Sequence, residues 1–296
     1  MTDRMVDLSE EPARLAVRNG LLVIVRENGE EATVPLDDLG VLVVSHPQVT
    51  FTQAVLSGLV ESGGVFVTCN AARLPVGMLL PIDAHYIQAE RFGLQARAAL
   101  PIRKRLWRQI VSAKVKAQGR LLQALYGYDR GLIALSGRVR SGDPSNVEAQ
   151  ASRRYWPALF ADESFRRDRN AEDQNRFLNY GYAILRAIVA RAATAAGLHP
   201  SVGIHHHTRY NSFCLADDLM EPLRPRVDRA VWELVKARGK QAPMDREAKG
   251  ALLGGITARM EVAGESRSIF EAASRMASSL VAVFEGERKG LIIPEI

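Results

Sequence analysis

Hydrophobic and polar positions divide the chain into two unlike parts. Over the first eighty residues, short apolar runs alternate with turn residues. Leu15-Ala16-Val17 and Leu21 to Val25 flank Asn19-Gly20, and Asn28-Gly29 precedes Ala32-Thr33-Val34. Asn and Gly tolerate positive φ at low cost, so an Asn-Gly between β-rich runs predicts a hairpin. Val41 to Val44 and Val65-Phe66-Val67 predict further strands, with a helix over Thr50 to Glu61 that stops at Gly63-Gly64. Strand character is expected to end around Pro75 to Pro81, with Pro81-Ile82-Asp83 as the linker.

From about Tyr86 the apolar spacing becomes helical. Helices are predicted over Ile87 to Ala99, Pro101 to Tyr126, Asn146 to Phe160, Asn175 to Ala196, Leu215 to Lys236 and Ile269 to Phe284. The fold class expected is α+β in two domains: a small β-sandwich-like N-terminal domain over residues 1–83 and a larger all-α C-terminal domain over 84–296. The apolar tail Leu291-Ile292-Ile293-Pro294 is expected to dock on the bundle or on a second subunit.

With 296 residues, 47% of them hydrophobic, the chain can bury one large core or two smaller ones. No apolar stretch reaches the ~20 residues of a membrane-spanning helix, and the N-terminus leads into acidic residues, so a soluble cytoplasmic protein without membrane association is expected. Cys69 and Cys214 make neither a disulfide framework nor a zinc knuckle, and packing is their expected role.

Charge is segregated. Lys and Arg number 6 against 12 Asp and Glu in residues 1–96, 11 against 1 in residues 97–140, and 22 against 20 in the remainder. A +10 segment with Asp129 as its single acid either lies open to solvent or faces a polyanion; the scarcity of acidic partners favours nucleic acid. Arg103, Lys104, Arg105, Arg108 and Lys114 are the candidate DNA contacts within it.

Three features outside this segment carry chemistry. Glu148 stands three residues after Ser145, where a capping box is the simplest explanation. His205-His206-His207 follow Gly203, and three adjacent imidazoles cannot all serve one site. Asp217, Asp218 and Glu221 crowd one helix face, where they repel unless a cation intervenes; Arg224 can pair with Glu221. Each has an ordinary structural explanation alone. Together, acidic groups and an imidazole beside a phosphate-binding segment suit a divalent ion, Mg²⁺ or Mn²⁺, acting on a phosphodiester. No phosphate-binding glycine loop is present, which removes nucleotide-driven chemistry.

The ordered strings Asn175-x-x-Leu178-Asn179-Tyr180-Gly181-Tyr182, Gly197-Leu198-His199-Pro200-Ser201-Val202-Gly203-Ile204-His205-His206 and Asp218-Leu219-Met220-Glu221-Pro222-Leu223-Arg224-Pro225 resemble the universal CRISPR adaptation integrase. Val6-Asp7-Leu8-Ser9 and Val43-Val44-Ser45-His46-Pro47 resemble its type II branch. The resemblance spans essentially the whole chain. It implies a metal-binding and catalytic trio falling on Glu148, His206 and Glu221, with His205 and Asp218 as neighbouring candidates, and places Tyr180 among the DNA contacts. It also implies a dimerising N-terminal domain and a heterohexamer with a small ferredoxin-like partner. The implied activity inserts a prespacer duplex at the CRISPR repeat by 3′-hydroxyl transesterification, in functional coupling to the type II effector nuclease. A stand-alone structure-selective, metal-dependent DNA nuclease with water as nucleophile is the alternative.

Overall fold

The computed structural model describes residues 4–71, 75–262 and 265–295. Its fold is α+β, with a strand-rich N-terminal part and a helical C-terminal part.

Two four-stranded sheets form the first part. One has the order β1 (Arg4–Leu8), β5 (Leu39–Val44), β7 (Val65–Cys69), β8 (Pro75–Leu79); the other runs β4 (Glu31–Pro35), β3 (Leu21–Arg26), β2 (Ala13–Arg18), β6 (Thr50–Phe51). The β2–β3 hairpin turns on Asn19 and Gly20, at φ 52° and 74°, the left-handed pair that matches strand twist. The strand β5 reads as an unbroken apolar run because it is covered on both faces. Leu42 and Val44 pack with Leu15, Leu22 and Ile24 of the other sheet and with Leu59 of α1 (Gln53–Glu61), while Val41 and Val43 pack into the helical core.

The strand β8 ends at Leu79, within the stretch from Pro75 to Pro81 where strand character was expected to end. It pairs antiparallel with β7 as the edge of its sheet, where a proline at the first position removes no needed ladder bond. The last strand of this part thus ends at Leu79, and α2 (Gln88–Ala96) opens the helical part.

The remaining elements are α3 (Leu100–Tyr126), α4 (Leu132–Ser136), α5 (Val147–Phe160), α6 (Asn175–Ala195), α7 (Cys214–Met220), α8 (Arg224–Arg238), α9 (Arg246–Thr257), the short pair β9 (Met260–Val262) and β10 (Glu265–Arg267), and α10 (Ile269–Phe284). The 27-residue α3 carries Pro101 in its first turn and ends on Gly127 at φ 80°. The buried α6 forms the centre of the bundle; a Cβ at Gly181 would lie 2.5 Å from Val227 Cγ1, so α8 approaches α6 closely.

The single helix expected over Leu215 to Lys236 is in fact two. Pro222 and Pro225 cannot donate to the preceding turn, and α7 passes through a 3₁₀ turn at Glu221–Leu223 into α8. The apolar spacing gives no sign of α9, because Gly250, Gly254 and Gly255 mask its periodicity. Among the described residues, no helix is long and apolar enough to cross a membrane.

Candidate active site

One face of α3 organises the site. At 3.6 residues per turn, Arg103, Trp107, Lys114 and Gln118 fall on the same side of the helix. Near its start, Arg103 Nε donates to the Ile204 carbonyl at 3.0 Å and so holds the histidine loop. The buried Trp107 indole lies flat against His205, with centroids 4.1 Å apart and planes 4° from parallel, and meets His206 edge-on at 5.6 Å. Two turns on, the Lys114 ammonium is buried between Glu148 Oε1 at 2.6 Å and Glu221 Oε2 at 2.5 Å.

Glu148 does not close a capping box. The start of α5 is capped by others: Asn146 Oδ1 accepts from the Ala149 N–H, and the Asp143 carboxylate accepts from the Val147 and Glu148 N–H groups. With those donors satisfied, the Glu148 side chain is released to Lys114.

The three carboxylates expected to crowd one face instead take three different partners. Asp217 pairs with Arg186 at 2.7 Å and accepts from Asn211. Asp218, with no exposed surface, accepts from the Ile204 and His205 N–H groups on Oδ2 and from the His206 N–H and Nδ1 on Oδ1, at 2.6 to 3.2 Å. That loop fits because Gly203 has no side chain: a Cβ there would lie 2.2 Å from the His206 carbonyl. Glu221 receives Lys114 on one oxygen and Arg224 Nε, at 2.8 Å, on the other. Burial alone would raise the Glu221 carboxyl, but the charges of Arg224 and Lys114 override it and hold it down to about 2. For Lys114, burial is likewise outweighed by Glu221 and Glu148, so its ammonium stays charged.

The neighbouring histidines differ in kind. His206 gives its Nδ1–H to Asp218, which fixes the tautomer, leaves Nε2 as the lone-pair nitrogen and raises its pKa. His205 has its ring face on Trp107, and burial lowers its pKa. Among the described residues, no three His, Cys, Asp or Glu side chains are gathered to hold an ion together. The fit to a divalent cation rests on less: Glu148 and Glu221, from separate elements, already converge on one buried positive charge. The oxygen-rich set with one imidazole is the donor chemistry of Mg²⁺ or Mn²⁺.

From Lys114 and Glu221 a groove of about 690 Å³ opens between α5, α8 and the loop before α6. Trp156, Phe165 and Tyr182 give it an aromatic lining, and Arg153, Arg166, Arg167 and Arg169 surround it with positive charge. These arginines escape a segment-wise charge count because Asp162, Glu163, Asp168, Glu172 and Asp173 cancel them; the run Arg166-Arg167-x-Arg169 is the signal that could have found them. At the groove wall, Arg167 and Arg224 both lie over the Tyr182 ring, whose hydroxyl donates to the buried Asp228 alongside that of Tyr155. Burial pushes the Asp228 carboxyl up to about 6 even against these bonds.

Two expected DNA contacts are corrected. Lys114 is buried beneath the carboxylates, and Tyr180, 1% exposed, donates its hydroxyl to Asp7 Oδ2 at 2.6 Å and ties α6 to β1. With both side chains enclosed in this way, neither presents itself to a duplex. Arg103 is half-buried on the histidine loop, while Lys104, Arg105 and Arg108 are exposed. The cysteines pack as expected, Cys214 buried and Cys69 half-buried.

Residues 7–260 match the profile of the family described as CRISPR associated protein Cas1. A relative from Neisseria meningitidis, named CRISPR-associated endonuclease Cas1, is 36% identical over 282 residues, which cover 93% of this chain and 90% of the relative. Among solved structures, a casposase bound to integration product superimposes with a TM-score of 0.77 at 18% identity, covering 97% of this chain and 92% of that one. A chain of a Cas6-RT-Cas1–Cas2 complex gives a TM-score of 0.74 at 17% identity, covering 97% of this chain and 35% of that one. At these identities the superpositions establish the fold, and the sequence matches establish kinship: the chain belongs to the Cas1 family of CRISPR-associated proteins.

Proposed function

We propose that this chain is a divalent-metal-dependent DNA integrase and endonuclease of CRISPR adaptation. The observation that carries the reading is the convergence of Glu148 and Glu221, from separate helices, on one buried cation at the mouth of an arginine-lined groove. Glu148, Glu221 and Nε2 of His206 would hold Mg²⁺ or Mn²⁺, and the Lys114 ammonium must then leave the carboxylate pair. Such an ion supplies Lewis acidity at the scissile phosphate and orients the attacking oxygen.

The chain's own groups do the rest. Asp218 and Trp107 keep the His206 ring in place, and Arg224 keeps Glu221 ionised and pointed at Lys114. The groove arginines bind the backbone of a strand, and the half-buried Trp156 of its wall accepts a base. In strand joining, the 3′-oxygen of the incoming prespacer forms a bond to a repeat phosphorus while the repeat's own P–O3′ bond breaks; the leaving 3′-oxygen takes the proton, and the number of phosphodiesters is unchanged. Dimerisation, assembly with the small ferredoxin-like partner into a heterohexamer, and coupling to a type II effector nuclease are part of the same proposal; the likeness to a Cas1–Cas2 assembly supports the partner.

The test is to supply a labelled 3′-hydroxyl duplex and a repeat-bearing plasmid with Mn²⁺ or Mg²⁺ and the small partner. Strand joining by the parent and its loss in Glu148→Ala, His206→Ala and Glu221→Ala are expected. Cleavage without joining would instead establish the stand-alone nuclease.

A further inference from the structure

Helix α3 places its basic residues on two opposite faces. Arg103 and Lys114 serve the site; at 3.6 residues per turn, Arg105, Arg108, Lys116 and Arg120 fall on the side turned away from it. The chain's C-terminal segment runs along that second side. Its Leu291 N–H donates to Gln109 Oε1 at 3.1 Å, and its Ile292 N–H donates to Ser279 Oγ at 2.9 Å. Leu291 and Ile293 pack against the helical core. This anchoring delivers Glu295 to two cations at once, Oε1 at 3.2 Å from Lys116 Nζ and Oε2 at 2.8 Å from Arg120 Nη2.

The resulting contact has the chemistry of an anion site with a carboxylate in it. Lys116 and Arg120 lie one turn apart and clamp the two oxygens of a single group, as they would clamp two oxygens of a phosphate. The face continues into Arg108, which lines a shared cleft of about 340 Å³ with Lys116 and Arg120, and into Arg105; among the described residues neither has an ion-pair partner. From Arg105 to Arg120 the four cations span about 22 Å at 1.5 Å per residue, a length of roughly six or seven base pairs. All three groups of the clamp are exposed enough to exchange: their side chains are 42%, 36% and 64% accessible for Lys116, Arg120 and Glu295. An exposed ion pair is worth little, so a polyanion that brings several phosphates displaces it readily.

We propose that this face of α3 is a second DNA-backbone site, separate from the catalytic groove, and that Glu295 masks it by standing in for a phosphate. Duplex DNA releases the Glu295 side chain from Lys116 and Arg120 while Leu291 to Ile293 stay docked. The inference rests on the proposed action on DNA, and adds to it a surface that holds a duplex on the far side of α3 from the site.

The experiment is fluorescence anisotropy of a labelled blunt duplex, in EDTA to prevent turnover, at salt concentrations from about 50 to 300 mM. It compares the parent with Glu295→Gln, with Lys116→Gln/Arg120→Gln, with the triple variant, and with Glu287→Gln as an exposed-acid control. Glu295→Gln should tighten binding by roughly two- to fivefold, the equivalent of one exposed ion pair. Lys116→Gln/Arg120→Gln should weaken binding and reduce the log–log salt slope by about 1.8, since two fewer phosphates are neutralised. Adding Glu295→Gln to that pair should change nothing further. An unchanged slope in the paired variant, or an equal gain in Glu287→Gln, overturns the second site while leaving the DNA reading intact; a parent that binds no duplex at any salt overturns both.

Discussion

Lys114→Met removes one of the two cations that keep Glu221 ionised, in a side chain of nearly the same length. In the folded chain the Glu221 carboxyl is held at about 2, against 4.5 as its ordinary value. At 1.36 kcal/mol per unit, Arg224 and Lys114 together make ionised Glu221 stabilise the fold by roughly 3 kcal/mol, net of its burial. Breaking a buried pair by removing one partner costs a similar ~3–5 kcal/mol. The variant should therefore lose about 3 kcal/mol at pH 7, read as a lower midpoint in denaturant. Because the Glu221 pKa is depressed, the parent's advantage is fully present above about pH 4.5 and fades as pH falls toward 2, so the two proteins should converge in acid. Millimolar Mn²⁺ should stabilise the variant more than the parent, since no ammonium competes for the carboxylates; at a hundred times its dissociation constant the ion contributes ~2.7 kcal/mol. Equal midpoints at pH 7, or a gap of the same size at pH 3, would refute the assignment of Lys114 as the shared counter-charge.

Two further changes test the supports around the site. Asp218→Asn should lower the His206 pKa and loosen residues 203–206, at ~1–3 kcal/mol for each buried donor left unsatisfied; the ring-proton titration of His206 by NMR reads the first effect. The parent's gain from this pair is present below pH 6.5 and fades as pH rises through the elevated His206 pKa, and an unshifted titration would remove Asp218 as the group that fixes the ring. Asp228→Asn should flatten stability between about pH 4 and 6: with its carboxyl raised from 3.8 to about 6, the folded parent binds more protons there and loses roughly 3 kcal/mol as pH rises through the window. Parallel curves for parent and variant would show that Asp228 is ionised throughout.

The division into strands and helices was legible because it depends on period alone. Asn19-Gly20 marked a hairpin since only such residues adopt its left-handed pair cheaply, and Pro101 and Gly127 marked the ends of α3 for equally local reasons. Where tertiary contacts decide, the pattern failed. The strand β8 carries prolines at its margin and exists because β7 offers it an edge. The break between α7 and α8 falls at Pro222 and Pro225, inside the run read as one helix, and it is this break that turns Glu221 toward Lys114 while Asp218 turns toward the histidine loop.

The site itself was legible as residue types and in one local pair, Arg224 with Glu221, but not in its long-range partners. Spacing placed Asp217, Asp218 and Glu221 on one face and implied mutual repulsion; the fold relieves it by giving each a different cation or set of N–H donors from elsewhere in the chain. Net charge suffers from the same blindness. Counted along the sequence, residues 97–140 form one basic block. Wound into α3, that block becomes a buried ammonium and a loop-holding guanidinium on one side, and an exposed cationic face on the other. Meanwhile the arginines of the groove beside the carboxylates lie in a segment whose acidic residues hid them. A linear charge count therefore points to a polyanion but misplaces the cations that would meet it, because the helix sorts neighbours in sequence onto opposite faces. Charge reversal at Lys104 and Arg105 and at Arg166 and Arg169 must then be expected to act on different parts of DNA binding, the first on the flank of α3 and the second on the strand that reaches the carboxylates.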